Sequence, residues 1–360
     1  MEINIRRKGL FINTEKAKCS IHESGLMVYD CIKDSAKFDL DYIELRKDDL
    51  KIPAEYDFYF FNYHFITTGW LDTKSVKKLP GLKGTIILEV LPNDPFVYCS
   101  PFDFDFYCVL DPSMTLKHKK VFAFPRPLDE YTGPLSKKEN PVPVIGSFGF
   151  ATKGKGFEHV VSAVNREFDK AVVRINIPHG TYTDESHQYA HELAAICKGL
   201  AKPGVDVQVT HTFFSKEELI HWCSENTLNC FLYDRNFPGL SATTDQSITS
   251  ERPLAISDNN TFRHIAKYLT PYPHQSLKES IEKSVPAVVQ MKRDWSRESF
   301  RKLFETMIEK LGRNRTVQNQ NQDTVILSLV NKESLSYKLA IRYRKILRRY
   351  YKSTLYAAFH

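Results

Sequence analysis

The sequence contains no uninterrupted apolar run approaching the roughly 18 residues that would span a bilayer. Its first residues, MEINIRRKGLF, lack the apolar stretch and small-residue cleavage site of a secretory signal. Those two gaps lead to the expectation of a protein made in the cytosol and kept there. The seven cysteines are odd in number and form no C-x-x-C pair, which argues against a disulfide framework and against a zinc-ribbon pattern. No H-E-x-x-H is present. His187 and His191 stand four apart with Glu185 and Glu192 nearby, but such a pair arises easily by chance on a helix, and no metal site is expected. The G-x-G-x-x-G spacing of a dinucleotide fingerprint is missing, and no repeat at periods of about 20 to 50 residues is visible.

What the chain does contain is enough apolar material for real cores: 42% hydrophobic and 26% charged residues over 360 positions. Single cores tend to stop growing at about 250 to 300 residues, so two domains are expected. The net charge of +7 is not spread evenly. The segment from Asn331 to His360 carries eight Lys or Arg against one Glu, which accounts for the whole excess. An acidic surface is the expected partner of that segment, and no nucleic-acid partner is expected.

Between Met1 and residue 130 the apolar runs GLFIN, DYIEL, DFYFFNY, GTIILEV, DFYCVL and KVFAF read as buried parallel strands. Residues 131–143, rich in Pro, Gly, Ser, Lys and Glu, read as a linker. From 144 to 275 strand and helix alternate: VPVIGSFGF, FEHVVSAVNREF, AVVRINI, SHQYAHELAAICKGL, VDVQVTH, SKEELIHWCSE, NCFLYD, a helix beginning near Gly239, and PLAIS. Five strands joined by helical crossovers predict a parallel, doubly wound sheet, whose ligands bind at the carboxyl ends of the strands. Residues 276–312 read as one group of packing helices and 313–323 as a polar linker. Residues 324–360 read as a basic amphipathic tail, with a helix over Tyr337–Tyr356 suited to an anionic membrane surface.

Two constellations carry the chemistry. In the first, a strand runs into Gly146-Ser147-Phe148-Gly149 and continues through Ala151-Thr152-Lys153-Gly154-Lys155-Gly156. Glycines let backbone amides approach a pyrophosphate, and Lys153 or Lys155 supplies charge; the alternative is an ordinary strand-turn-helix. The stretch nearly satisfies a P-loop, yet Gly156 stands where a Ser or Thr must hold magnesium, so an NTPase or kinase is the rival reading. The second constellation is Gly239-Leu240-Ser241-Ala242-Thr243-Thr244-Asp245, followed by Glu251-Arg252-Pro253. It offers a second phosphate the start of a helix, with Asp245 as a ribose ligand or merely a favourable first-turn acid.

Lys153–Gly156 and Gly239–Pro253 resemble, in that order, the elements of GT-B glycosyltransferases, especially the large retaining group that uses nucleotide sugars. The resemblance implies an α/β protein of two Rossmann-like domains facing a cleft, with a C-terminal helical extension. It further implies transfer of a sugar from a nucleotide-sugar donor, UDP- or GDP-linked, to a glycan or lipid-linked acceptor in surface polysaccharide synthesis, with no other cofactor. Donor-binding residues would be Gly149, Lys153, Lys155, Gly239, Leu240, Ser241, Thr244 and Asp245. On the acceptor side, Cys19–Gly25 looks like the loop such enzymes bring toward the donor, so that amides near Ser24 and Gly25 would face the ligand. Glu23 is a candidate catalytic base or a helix cap. His64, at the end of an apolar strand, resembles the histidine many of these enzymes place beside the sugar, and Asn93 and Asp94 are acceptor candidates. No arginine follows the first strand of the second half, and Asp245 or Gln246 stands near the position of the family's glutamate, so the stereochemistry stays open. A GT-B-shaped binding protein without catalysis is the third reading.

Overall fold

The computed structural model describes residues 6–346 apart from 16–19, 66, 89–94, 97–98, 116–117, 137–138, 180–183, 185, 236–238, 313–322, 336–337, 340–341 and 344–345. The chain forms two compact units, Met1–Pro127 with Ser296–His360, and Leu128–Trp295.

In the first unit β1 (Arg7–Thr14), α1 (Ser20–Ile32), β2 (Phe38–Leu45), β3 (Lys51–Pro53), β4 (Phe58–Phe61), β5 (Leu82–Ile87), β6 (Phe106–Val109) and β7 (Val121–Ala123) follow one another. All but β3 join one parallel sheet in the order β2-β1-β4-β5-β6-β7. Each of the six apolar runs is one of these strands. Period-two alternation sorts their side chains: Phe11, Phe58, Phe60 and Phe106 enter one core, whereas Leu10, Ile12, Tyr59, Phe61 and Tyr107 enter the other. A sheet buried on both faces needs continuous apolar strands, and FYFF at β4 is buried throughout.

The second unit continues with β8 (Val144–Phe148), α2 (Phe157–Glu167), β9 (Ala171–Asn176), α3 (Gln188–Gly199), β10 (Val205–Thr210), α4 (Lys216–Ser224), β11 (Leu228–Phe231), α5 (Thr243–Thr249), β12 (Leu254–Ile256), α6 (Leu277–Lys283) and α7 (Val285–Asp294). Its sheet is parallel in the order β10-β9-β8-β11-β12. The five expected strands are all present. Local chemistry fixes several helix starts; Ser215 and Glu218 form a reciprocal capping box on α4, and Ser276 and Glu279 repeat it on α6.

Three expected boundaries move. Leu128 is buried in a core of the second unit, so the division falls before the Pro/Gly-rich segment rather than at 131–143. The 276–312 block is split: Val288, Met291 and Trp295 pack into the second unit, while α8 (Arg297–Gly312) sends Phe300, Phe304, Met307 and Ile308 into the aromatic core of the first. The expected tail begins with β13 (Thr324–Ile326), which pairs antiparallel with β3 and buries Val325 and Leu327. An apolar stripe finds whichever face lacks cover, and linker composition alone does not reveal that.

Each sheet has one place where successive strands leave in opposite directions, β1/β4 in the first and β8/β11 in the second. Such a switch point leaves a crevice outside the carboxyl ends of the strands, which is where a ligand fits.

Candidate functional site

At the β8/β11 switch point the two constellations meet. The loop after β8 returns so that Gly156, with φ +66°, lies against the carbonyl of Leu232. No residue with a Cβ fits there, so a P-loop Ser or Thr has no room at 156. This folding-back buries Lys155, which is only 9% exposed. Its Nζ donates to Tyr233 Oη at 2.8 Å and stands 4.5 Å from the ring centre. Arg235 lies 5.2 Å from the same ring. Ser241 Oγ donates to Tyr233 Oη at 3.4 Å, and Thr243 Oγ1 is 3.0 Å from it. Burial alone raises the Tyr233 pKa, but the Lys155 ammonium and the two hydroxyls outweigh it and the net direction is downward. Among the described residues no carboxylate pairs with Lys155.

Gly149 contributes room. With φ +146° it has no side chain where a Cβ would sit 3.3 Å from Lys155 Nζ and 3.6 Å from Thr243 Cγ2. Its N–H already donates to the carbonyl of Asn176 at 3.1 Å, so it is not a free amide as the sequence reading expected. Lys153 is exposed on the turn. Gly239 and Leu240 precede α5, which starts at Thr243 rather than near Gly239, and the Ser241 amide donates to the Thr261 carbonyl at 3.2 Å. Thr244 Oγ1 donates back to the Ser241 carbonyl at 3.2 Å, and Asp245 lies in the first turn of α5, 2% exposed. Glu251 and Arg252 serve elsewhere: the first pairs with Lys292, the second donates to the Ser224 carbonyl at 2.6 Å.

At the β1/β4 switch point of the first unit, strand ends supply a buried polar network. Asn62 Nδ2 donates to Asn13 Oδ1 at 2.7 Å and to the Ile21 carbonyl at 2.8 Å. Asn13 Nδ2 reaches Tyr42 Oη at 3.1 Å, and His22 Nε2 is 3.0 Å from Glu44 Oε1. Ser24 and Gly25 lie inside α1 rather than in a loop, so their N–H groups are taken by the helix and do not face a ligand. Gly25 instead permits close approach, since a Cβ there would run into the side-chain amides of Asn13 and Asn62. Glu23 is exposed on the first turn of α1, 3.8 Å from His22 Nδ1. His64 follows β4, buried, its amide donating to Thr68 Oγ1 at 2.9 Å. Asn93 and Asp94 lie outside the described residues.

Sequence reasoning missed Tyr233, Arg235, Asn13, His22, Glu44 and Asn62. A usable signal existed for several of them: Asn13, Glu44, Asn62 and Tyr233 each stand at or just past the end of an apolar strand, where a polar group has no structural duty to the core.

Burial holds the His64 pKa down at about 4, against an ordinary value of about 6.5. The folded state therefore prefers the neutral ring. The unfolded chain binds the proton first, so the stability from this group is complete above pH about 6.5 and lost as pH falls toward 4. The loss amounts to about 3 kcal/mol at most. Urea denaturation at pH 7 and pH 4.5 is expected to show His64→Gln losing less stability on acidification than the unsubstituted protein; equal losses would remove His64 as a source.

No family model matches the chain, and no curated protein matches it. Solved structures do. The HepE protein of Anabaena, in complex with UDP and glucose, superposes at a TM-score of 0.56 with 10% identity, over 85% of this chain and 100% of that one. Trehalose-6-phosphate synthase of E. coli, bound with UDP-2-fluoro glucose, gives 0.57 with 11% identity over 86% and 100%. A glycosyltransferase from Rickettsia africae gives 0.56 with 10% identity over 86% and 100%. At such identities the likeness is one of fold, and with two parallel α/β units each carrying a switch point the chain has the GT-B fold.

Proposed function

We propose that the protein is a glycosyltransferase whose second unit binds the diphosphate of a nucleotide sugar at Lys155. One observation carries this reading: an ammonium is buried at the β8/β11 switch point with a phenol for a partner and no carboxylate among the described residues. Burying an uncompensated cation is costly, and an anionic ligand relieves that cost. Arg235 adds a second positive charge beside Tyr233, and Gly149 keeps the approach to Nζ open. The fold agrees, since the structures it resembles include ones in complex with UDP, with glucose and with UDP-2-fluoro glucose. The lack of room for a Cβ at Gly156 speaks against the NTPase reading.

On the first unit, Glu23 and His64 are the acceptor-side groups of this reading. Glu23 is the exposed carboxylate able to take a proton from a hydroxyl. A ring with a pKa of about 4 is a weak base but stays neutral at pH 7, so His64 suits hydrogen bonding to a sugar better than general-base work. The acceptor is proposed to be a glycan or lipid-linked sugar met at a membrane. For that, Leu335, Leu339, Tyr343 and Ile346 recur at helical spacing and are exposed by 72, 55, 63 and 56%, with Lys338 and Arg342 between them. A stripe left in water beside basic residues is suited to an anionic lipid surface.

Three outcomes are expected. Lys155→Met, which keeps the volume, weakens binding of UDP or GDP in isothermal titration by about 1.5–3 kcal/mol, and Lys153→Met changes little; equal affinity of Lys155→Met and the unsubstituted protein would sink the diphosphate site. With donor and acceptor supplied, Glu23→Gln and His64→Gln reduce sugar transfer at least about tenfold while nucleotide affinity holds. Transfer at the original rate would return either residue to a structural role. In cosedimentation with vesicles, a truncated chain ending at Asn331, which retains β13, loses binding to anionic lipid that the full chain shows at low salt. Equal sedimentation of the two chains would rule out the lipid contact.

A further inference from the structure

Four histidines that are scattered in the sequence come together at the carboxyl edge of the second sheet. His179 lies just past β9 and His211 just past β10; His187 precedes α3, and His191 is on its first turn. The ring centres of His179 and His211 are 4.9 Å apart, those of His191 and His211 4.7 Å, and those of His179 and His191 5.4 Å. His187 stacks on His179 at 4.0 Å with the planes 12° apart.

We propose that His179, His191 and His211 form a binding site for a divalent transition-metal cation such as zinc, with His187 as the ring that backs His179. Imidazole nitrogens bind zinc at about 2.0–2.1 Å, which sets ring centres about 5 Å apart around a tetrahedral ion. The three observed spacings bracket that value. One of the three rings already has the outer partner that a metal-binding histidine needs. His211 Nδ1 is 2.8 Å from the Ile177 carbonyl, which makes it the N–H donor and leaves Nε2 for a metal. His179 Nε2 and His187 Nδ1 are buried and make no hydrogen bond among the described residues. His187 stacks on His179 from a left-handed backbone, φ 59°, a conformation that costs a non-glycine residue energy. Asn176 ties the two strand ends, its Nδ2 donating to the Thr212 carbonyl at 3.0 Å and its Oδ1 accepting from Thr210 Oγ1 at 2.8 Å. Asp184 steadies the start of α3, accepting from the Ala190 amide at 2.8 Å. Among the described residues no group of three or more His, Cys, Asp or Glu stands ready-made around a cation, so the ion must turn a ring. His191, exposed on the surface of α3, is free to do so.

The test is isothermal titration of the full-length, chelator-stripped protein with zinc chloride at pH 7.5, without nucleotide, so its result does not depend on the donor reading. One equivalent is expected to bind with micromolar affinity or better. His191→Ala and His211→Ala should each weaken binding at least about tenfold, and His118→Ala and His221→Ala, outside the cluster, should leave it unchanged. Cobalt in place of zinc should give the visible absorption of a tetrahedral site, lost in His191→Ala. Because His191 is exposed, that variant keeps its fold even where His179→Ala does not. No saturable equivalent of zinc, or unchanged affinity in His191→Ala and His211→Ala, would overturn the proposal.

Discussion

A single ammonium held nearly out of water organises the second unit. Lys155 is brought to Tyr233 because the loop after β8 folds back onto the end of β11, and that return needs Gly156 against a carbonyl. Tyr233 in turn is gripped by Ser241 and Thr243, which fixes where α5 begins. Two segments about ninety residues apart in the chain are thus registered through one phenolic oxygen. A phenol can balance a lysine only partly, whereas a carboxylate would have neutralised it. On the function proposed above, an anionic ligand completes the compensation that the phenol leaves unfinished.

The first unit solves the same geometric problem with neutral groups. Asn13 and Asn62 face each other across the β1/β4 switch point, and the absence of a side chain on Gly25 lets α1 settle against them. Amide side chains both donate and accept, so this floor is rigid without carrying charge. Charge enters at its rim, where Glu44 meets His22 and the exposed Glu23 lies 3.8 Å from His22 Nδ1.

Much of the fold was legible in the sequence because a parallel sheet buried on both faces announces itself as short apolar runs. All eleven strands of the two parallel sheets coincide with such runs. What was not legible depends on returns of the chain. That α8 would leave the helices before it and cover Phe58 and Phe60 follows from shape complementarity between surfaces far apart in sequence. The candidate site was legible where glycine and lysine mark a loop, at Gly149 and Lys155. It was not legible where an ordinary aromatic such as Tyr233 becomes polar through its neighbours, nor where His179 and His211 are made adjacent by neighbouring strands 9 and 10 of the chain.

Because α8 and β13 belong to the first unit, the second unit is an insertion within it. A ribosome adding about 5–20 residues per second needs roughly 10–40 s to go from the last strand of the first sheet to the end of α8. Throughout that interval Phe58, Phe60 and Phe106 lack the helix that seals their face. The second unit, whose residues are contiguous, meets no such delay and can close first. Order of birth is therefore the reverse of order of completion, and the aromatic sheet is the surface a nascent-chain chaperone would have to shield.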